Sequence, residues 1–99
     1  MLHIVNKSPF AAGSLDTCLR VAQSGAAVLL IEDGIYAAVA GTDSAERLRP
    51  GTNGLRLYAL GPDIDARGMQ ERMLAGIERV DYAGFVDLVT THSTVQSWL

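Results

Sequence analysis

Apolar residues along the chain fall into two textures: short unbroken runs, and stripes at three- and four-residue spacing. Leu2–Asn6 is the first run and reads as a short buried strand. Lys7-Ser8-Pro9-Phe10-Ala11-Ala12-Gly13 follows, and its Pro and Gly punctuate a loop. Ser14 is then suited to cap a helix, with Asp16 in the first turn and Gly25 as a left-handed stop after Ser24. Within that helix Leu15, Cys18, Leu19 and Ala22 recur at i, i+3, i+4 and i+7 and share one face. Ala26–Ile31 is the strongest strand, a continuous apolar run ending in Glu32-Asp33-Gly34, as expected for a strand covered on both faces of a parallel sheet.

Gly34–Ala40 offers Ile35, Ala38 and Val39 at helical spacing, a second short helix closed by Gly41. Thr42–Gly54 is polar and rich in turn formers, with one helical turn expected around Ala45–Leu48, and it reads as the most mobile segment. Leu55–Leu60 is a third strand. Gly61-Pro62-Asp63 converts it into a short helical piece that Gly68 interrupts, and a turn of helix is expected through Met69–Met73. Ile77–Val80 is a fourth strand, and Asp81 caps a last helix with Tyr82, Phe85, Val86 and Val89 as its apolar stripe. Strand and helix alternate four times, which implies right-handed crossovers and a parallel sheet covered on both faces. The expected class is α/β: one domain over residues 1–99, a three-layer, flavodoxin-like or Rossmann-like sandwich with a mainly parallel sheet of about four strands.

Composition sharpens this picture. The chain has 99 residues, 48% of them hydrophobic and 19% charged. That is more apolar than a domain of this size needs for its own core, so part of the apolar surface is expected to meet a partner. One lysine, Lys7, and seven arginines face eleven carboxylates, which leaves no basic stripe for a nucleic-acid backbone. Arg47, Arg49 and Arg56 sit beside Asp43 and Glu46 and read as a solvated loop. The opening residues lack the basic and apolar regions of a signal peptide, and no apolar run approaches the ~20 residues of a membrane span, so a cytoplasmic location is expected. A single cysteine excludes an internal disulfide, and one thiol with His3 and His92 far apart is a poor start on a zinc site.

Candidate chemistry gathers at the carboxyl ends of the strands, where open parallel sheets bind ligands. Those ends carry Lys7-Ser8-Pro9, Glu32-Asp33-Gly34, Gly61-Pro62-Asp63 and Asp81-Tyr82. Asp33, Asp63 and Asp81 could serve a free-standing enzyme or a phosphate- or Mg²⁺-binding domain. The favoured reading is structural, each carboxylate starting the helix after its strand. No glycine-rich phosphate loop and no nucleophilic-serine motif is present, so no cofactor is implied. Cys18 is the sole thiol nucleophile, near a helix start that would lower its pKa, yet on the apolar stripe where a cysteine behaves as a small buried hydrophobe. His3 reads as a core or edge histidine, and His92 as a cap at a helix C-terminus. Trp98-Leu99 must pack either on its own domain or on a neighbouring subunit.

Five stretches together, in this order, carry a resemblance over nearly the whole chain: Leu2–Phe10; Leu29–Ala38; Tyr58–Asp63 with Ala66-Arg67-Gly68; Val80–Leu88; and Val95–Leu99. The chain resembles the DsrH family, also called TusB. The resemblance implies a subunit of a heterohexamer holding two copies each of three related α/β chains, with DsrE/TusD-like and DsrF/TusC-like sisters and a DsrC/TusE-like sulfur acceptor. Such complexes pass persulfide sulfur between cysteines, toward 2-thiouridine at the tRNA wobble position in TusBCD or within dissimilatory sulfur oxidation in DsrEFH. The main sulfur-carrying cysteine belongs to the DsrE/TusD sister, so this chain would be an architectural and docking partner, non-catalytic or accessory to the sulfurtransferase. Cys18 matches the cysteine in the first helix of DsrH chains from sulfur oxidisers, which implies a secondary persulfide carrier.

Overall fold

A computed structural model describes residues 1–9, 13–22, 25–48 and 54–98; the side chains of Ser14, Asp16, Thr17, Val21 and Arg47 lie outside the described set. In chain order the elements are β1 (Leu2–Val5), α1 (Ser14–Val21), β2 (Ala27–Leu30), a 3₁₀ helix (Glu32–Ala38), α2 (Asp43–Arg47), β3 (Arg56–Leu60), α3 (Gly61–Ala66), β4 (Glu78–Val80), α4 (Tyr82–Thr91) and β5 (Val95–Trp98). The strands form one sheet in the order β4-β3-β2-β1-β5, and every pairing is parallel.

That order explains how the layers divide. Three successive crossovers step the same way, from β1 to β4, so their right-handedness sends α1, the 3₁₀ helix, α2 and α3 to one face. The last crossover runs back across the sheet to β5 and puts α4 alone on the other. The core divides accordingly. Val5, Val28, Leu30, Leu57 and Ala59 pack with Leu15, Cys18, Ile35 and Ile64 on the first face. Leu2, Ile4, Ala27 and Leu29 pack with Phe85, Leu88 and Val89 of α4 on the second. Alternate residues of each strand serve opposite layers, which is why these strands read as unbroken apolar runs.

Four differences from the sequence reading have physical causes. The sheet has five strands where about four were expected: Val95–Trp98 is exposed along most of its length and is held by pairing with β1 at the far end of the chain, so it carries no local apolar signal. The first helix begins at Ser14 itself, with Gly13 in the cap position. The segment expected as a turn of helix at Met69–Met73 instead bridges back to the end of the 3₁₀ helix. The Leu74 N–H donates to the Ala38 carbonyl (2.7 Å) and the Ala40 N–H to the Arg72 carbonyl (2.8 Å), around an antiparallel Val39–Met73 bridge. The expected stripe of α4 is split: Phe85 and Val89 turn inward, whereas Tyr82 and Val86 face out, 63% and 57% exposed. In the segment expected to be mobile, 43–47 is helical, capped by Thr42, whose Oγ1 accepts from the Ala45 N–H (3.2 Å); Arg49 and residues 50–53 lie outside the described residues.

Candidate functional site

The carboxyl ends of β1, β2, β3 and β4 lie at one end of the sheet, where β3 runs straight into α3 and the polar groups after β2 and β3 engage one another. Glu32 follows β2 with φ at 49°, a left-handed conformation uncommon away from glycine. Its N–H donates to Asp63 Oδ2 in the first turn of α3 (2.6 Å), which ties the start of the 3₁₀ helix to the start of α3. Asp33 Oδ1 accepts from both Nε and Nη2 of Arg67, at 3.1 and 2.9 Å, while Nη1 of the same arginine donates to the Asp63 carbonyl (3.2 Å). Asp81 Oδ1 caps α4 by accepting from the Gly84 N–H (2.8 Å). The three aspartates therefore tie the 3₁₀ helix to α3 and cap α4. Among the described residues no group of three or more His, Cys, Asp or Glu side chains is placed to hold a metal ion. Arg67, named above only within the Ala66-Arg67-Gly68 match, was given no role from the sequence, since its pairing with Asp33 spans 34 positions and follows no local spacing.

The approach of the first two loops is also steric. A Cβ on Gly34 would stand 2.1 Å from the Val5 carbonyl oxygen, an atom that already accepts the Ile31 N–H at 3.0 Å. Gly61 is covered in turn by the Arg79 guanidinium, which is paired with Asp65 through two hydrogen bonds. That pairing holds the Asp65 carboxyl below the usual carboxylate range.

Cys18 lies in the fifth position of α1, fully buried among Leu15, Val28 and the rest of the first core layer. Burial pushes its thiol up to about 11, so the nucleophilic thiolate is scarce at neutral pH. In this conformation α1 shuts the sulfur away from any donor.

His3 is buried in β1, and its Nδ1 accepts the Trp98 indole N–H at 3.1 Å, with the rings tilted at 31°. The C-terminal tryptophan thus packs on its own sheet, against the first core layer. Burial, aided by the Met1 ammonium, lowers the pKa of His3. A folded-state pKa below the unfolded value of 6.5 means that the unfolded chain binds the proton more readily. The stabilisation is therefore present above about pH 6.5 and is lost as pH falls below it. Thermal unfolding followed by Trp98 fluorescence should show the midpoint falling from pH 7 to pH 5, with a smaller fall in His3→Gln. His92 ends α4 with Nδ1 donating to the Leu88 carbonyl (2.7 Å), which leaves Nε2 to accept from Arg56 (3.3 Å), so it does serve as a cap. Among the described residues no helix is long and apolar enough to cross a membrane.

α4 leaves an apolar face exposed. Its outward side carries the apolar Tyr82, Ala83 and Val86 beside Asp87 and Thr90, and none of its residues is buried. A helix of that kind normally has neighbours on both sides.

The family model described as DsrH like protein matches residues 7–95. "Protein TusB" of Pectobacterium parmentieri is 41% identical over 98 residues, covering 99% of this chain and all of the relative, and "Protein TusB" of Shigella flexneri is 37% identical over the same coverage. Among solved structures, the ychN protein from E. coli superposes with a TM-score of 0.78 at 18% identity, covering 97% of each chain. Tm0979 from Thermotoga maritima superposes at 0.63 and 20% identity, covering 95% of this chain and 97% of that one. These two show the fold alone. With a family model spanning most of its length and relatives matched end to end, the chain belongs to the DsrH/TusB family, the family of sulfur-relay subunits that its sequence resembles.

Proposed function

We propose that the chain, acting as one domain over residues 1–99, is a subunit of a cytoplasmic persulfide-relay complex that serves 2-thiolation of the tRNA wobble uridine. The observation that carries this reading is the end-to-end match to proteins named TusB. Its partners are DsrE/TusD-like and DsrF/TusC-like sister chains in a heterohexamer, and a DsrC/TusE-like protein takes the sulfur onward. The chain's own work is architectural and docking. The outward face of α4, with Tyr82 and Val86, supports that role because an exposed apolar helix face suits a permanent interface. The net charge of −3 fits a subunit that does not itself grip tRNA. Dissimilatory sulfur oxidation is the second reading, favoured by one observation, the thiol at Cys18 in the first helix.

Cys18 is the proposed secondary sulfur-accepting site, reached when α1 lifts from the sheet. Its thiolate would attack the outer sulfur of a partner's persulfide, forming a new S–S bond and releasing the partner's thiolate. Intact mass of the chain, alone and with its sister chains, is measured after exposure to a persulfide donor, with Cys18→Ser as control. An added sulfur on this chain that vanishes in the control is the expected result for a carrier. Absence of the adduct while a sister chain is loaded would reduce this chain to docking alone.

A further inference from the structure

The two edges of the sheet are built differently. β4, at one edge, is three residues long and carries Glu78 and Arg79, with Arg79 fixed by Asp65. Short, charged edge strands resist pairing with another chain. β5, at the other edge, has no such guard: Val95, Gln96, Ser97 and Trp98 bear no charge and include no proline, and the first three are exposed.

The hydrogen bond from the Leu2 N–H to the Thr94 carbonyl (3.0 Å), with Leu2 opposite Val95, sets the phase of the β1–β5 ladder. Residues of a parallel strand alternate in the neighbour to which their main-chain groups turn. Gln96 and Trp98 therefore address β1, while Val95 and Ser97 turn both N–H and C=O outward. The Ser97 carbonyl meets the side-chain amide of Gln96 in a long contact of 3.3 Å.

We propose that this edge pairs antiparallel with β5 of a second copy of the chain, about a two-fold axis between the two Gln96 residues. In that register Val95 of one copy stands opposite Ser97 of the other, and each such pair exchanges two N–H···O bonds. The occupant is a second copy because the outward groups are their own complement: they are placed symmetrically about residue 96, and no charged side chain of β5 enters the seam. Val95 lies on the same face as Leu2 and meets Ser97 there, covering a side chain that is 42% exposed. On the opposite face Gln96 meets Gln96, and each amide can both donate and accept. The operation closes on itself, as two-fold contacts do. This inference stands on main-chain geometry and is independent of the sulfur-relay reading.

Sedimentation velocity of the full chain, without sister chains, is compared with that of Ser97→Pro. Proline removes an outward N–H and leaves the bonds to β1 in place, which edge strands tolerate. The wild type is expected to sediment as a dimer, and the variant to associate at least tenfold more weakly with an unchanged circular dichroism spectrum. Should Ser97→Pro fail to fold, cysteine cross-linking decides. Gln96→Cys is expected to give a covalent dimer on mild oxidation, because residues on the axis sit ~4.5 Å apart at Cα, within disulfide range. Val95→Cys, facing Ser97, should not. A monomeric wild type without the Gln96→Cys cross-link overturns the proposal. So does a dimer that Ser97→Pro leaves intact, which would place the contact elsewhere, and so does a Ser97→Pro defect confined to binding sister chains.

Discussion

Replacing Gly34 with alanine is expected to lower the thermal midpoint by more than about 12 °C. The added Cβ would sit 2.1 Å from the Val5 carbonyl oxygen and 2.9 Å from its carbon, and both atoms belong to the backbone of β1. No rotamer relieves that contact. Either β1 shifts, which breaks the bond from the Ile31 N–H, or the 3₁₀ helix lifts and takes Ile35 and Ala38 out of the core. Overpacking ordinarily costs ~1–3 kcal/mol, and a backbone clash lies at or above the top of that range. A domain of this size has only about 5–15 kcal/mol in hand. Gly13→Ala is the control, since a Cβ there meets nothing within 4 Å at a φ of −83°. Circular dichroism melting of the two variants should separate them clearly. Equal melting points would mean that the two loops do not approach as described.

Removing the terminal ring should come second. Trp98→Ala takes a partly buried indole off the first core layer and deprives the buried His3 Nδ1 of its donor. Losing a packed tryptophan costs ~3–5 kcal/mol in a full core, and an unsatisfied buried acceptor ~1–3 kcal/mol, so a combined loss of about 3–5 kcal/mol is expected at this partly exposed site. Trp98→Phe keeps an aromatic ring of smaller size and removes the N–H, and should lose about 1–3 kcal/mol. Urea unfolding of the two variants separates packing from hydrogen bonding. Hydrogen exchange adds a spatial check: in Trp98→Ala the Leu2 and Gln96 amides should lose protection together, because β5 depends on the ring to stay docked on β1.

The parts of the fold that could be read from the chain were those with a local cause. Ala27–Leu30 announces itself because both faces of a central strand are apolar, and Asp81 announces α4 because a cap and its helix are neighbours in sequence. β5 could not be read, since Val95–Trp98 is ordered by residues more than ninety positions away and stays exposed on one side. The outward turn of Tyr82 and Val86 was equally hidden: helical spacing groups apolar residues, but it does not tell which of them face the sheet. At the candidate site, the sequence placed Asp33, Asp63 and Asp81 at strand ends, where they are found. The partners of Asp33 and Asp63, Arg67 and the Glu32 N–H, depend on how the 3₁₀ helix and α3 pack together. Gly34 was read only as the end of the Glu32-Asp33-Gly34 run and the start of a short helix, and its distance to Val5 shows why a side chain is excluded. Cys18 was legible both as a thiol near a helix start and as a member of an apolar stripe; the structure gives weight to the stripe.

Whether the chain works as a subunit is decided most directly by co-expressing it with its DsrE/TusD-like and DsrF/TusC-like sisters and weighing the product by native mass spectrometry. The expected result is one assembly containing all three chains, lost or sharply weakened by Val86→Glu on the outer face of α4. A chain that remains apart from its sisters while they assemble without it would contradict a role in the relay complex.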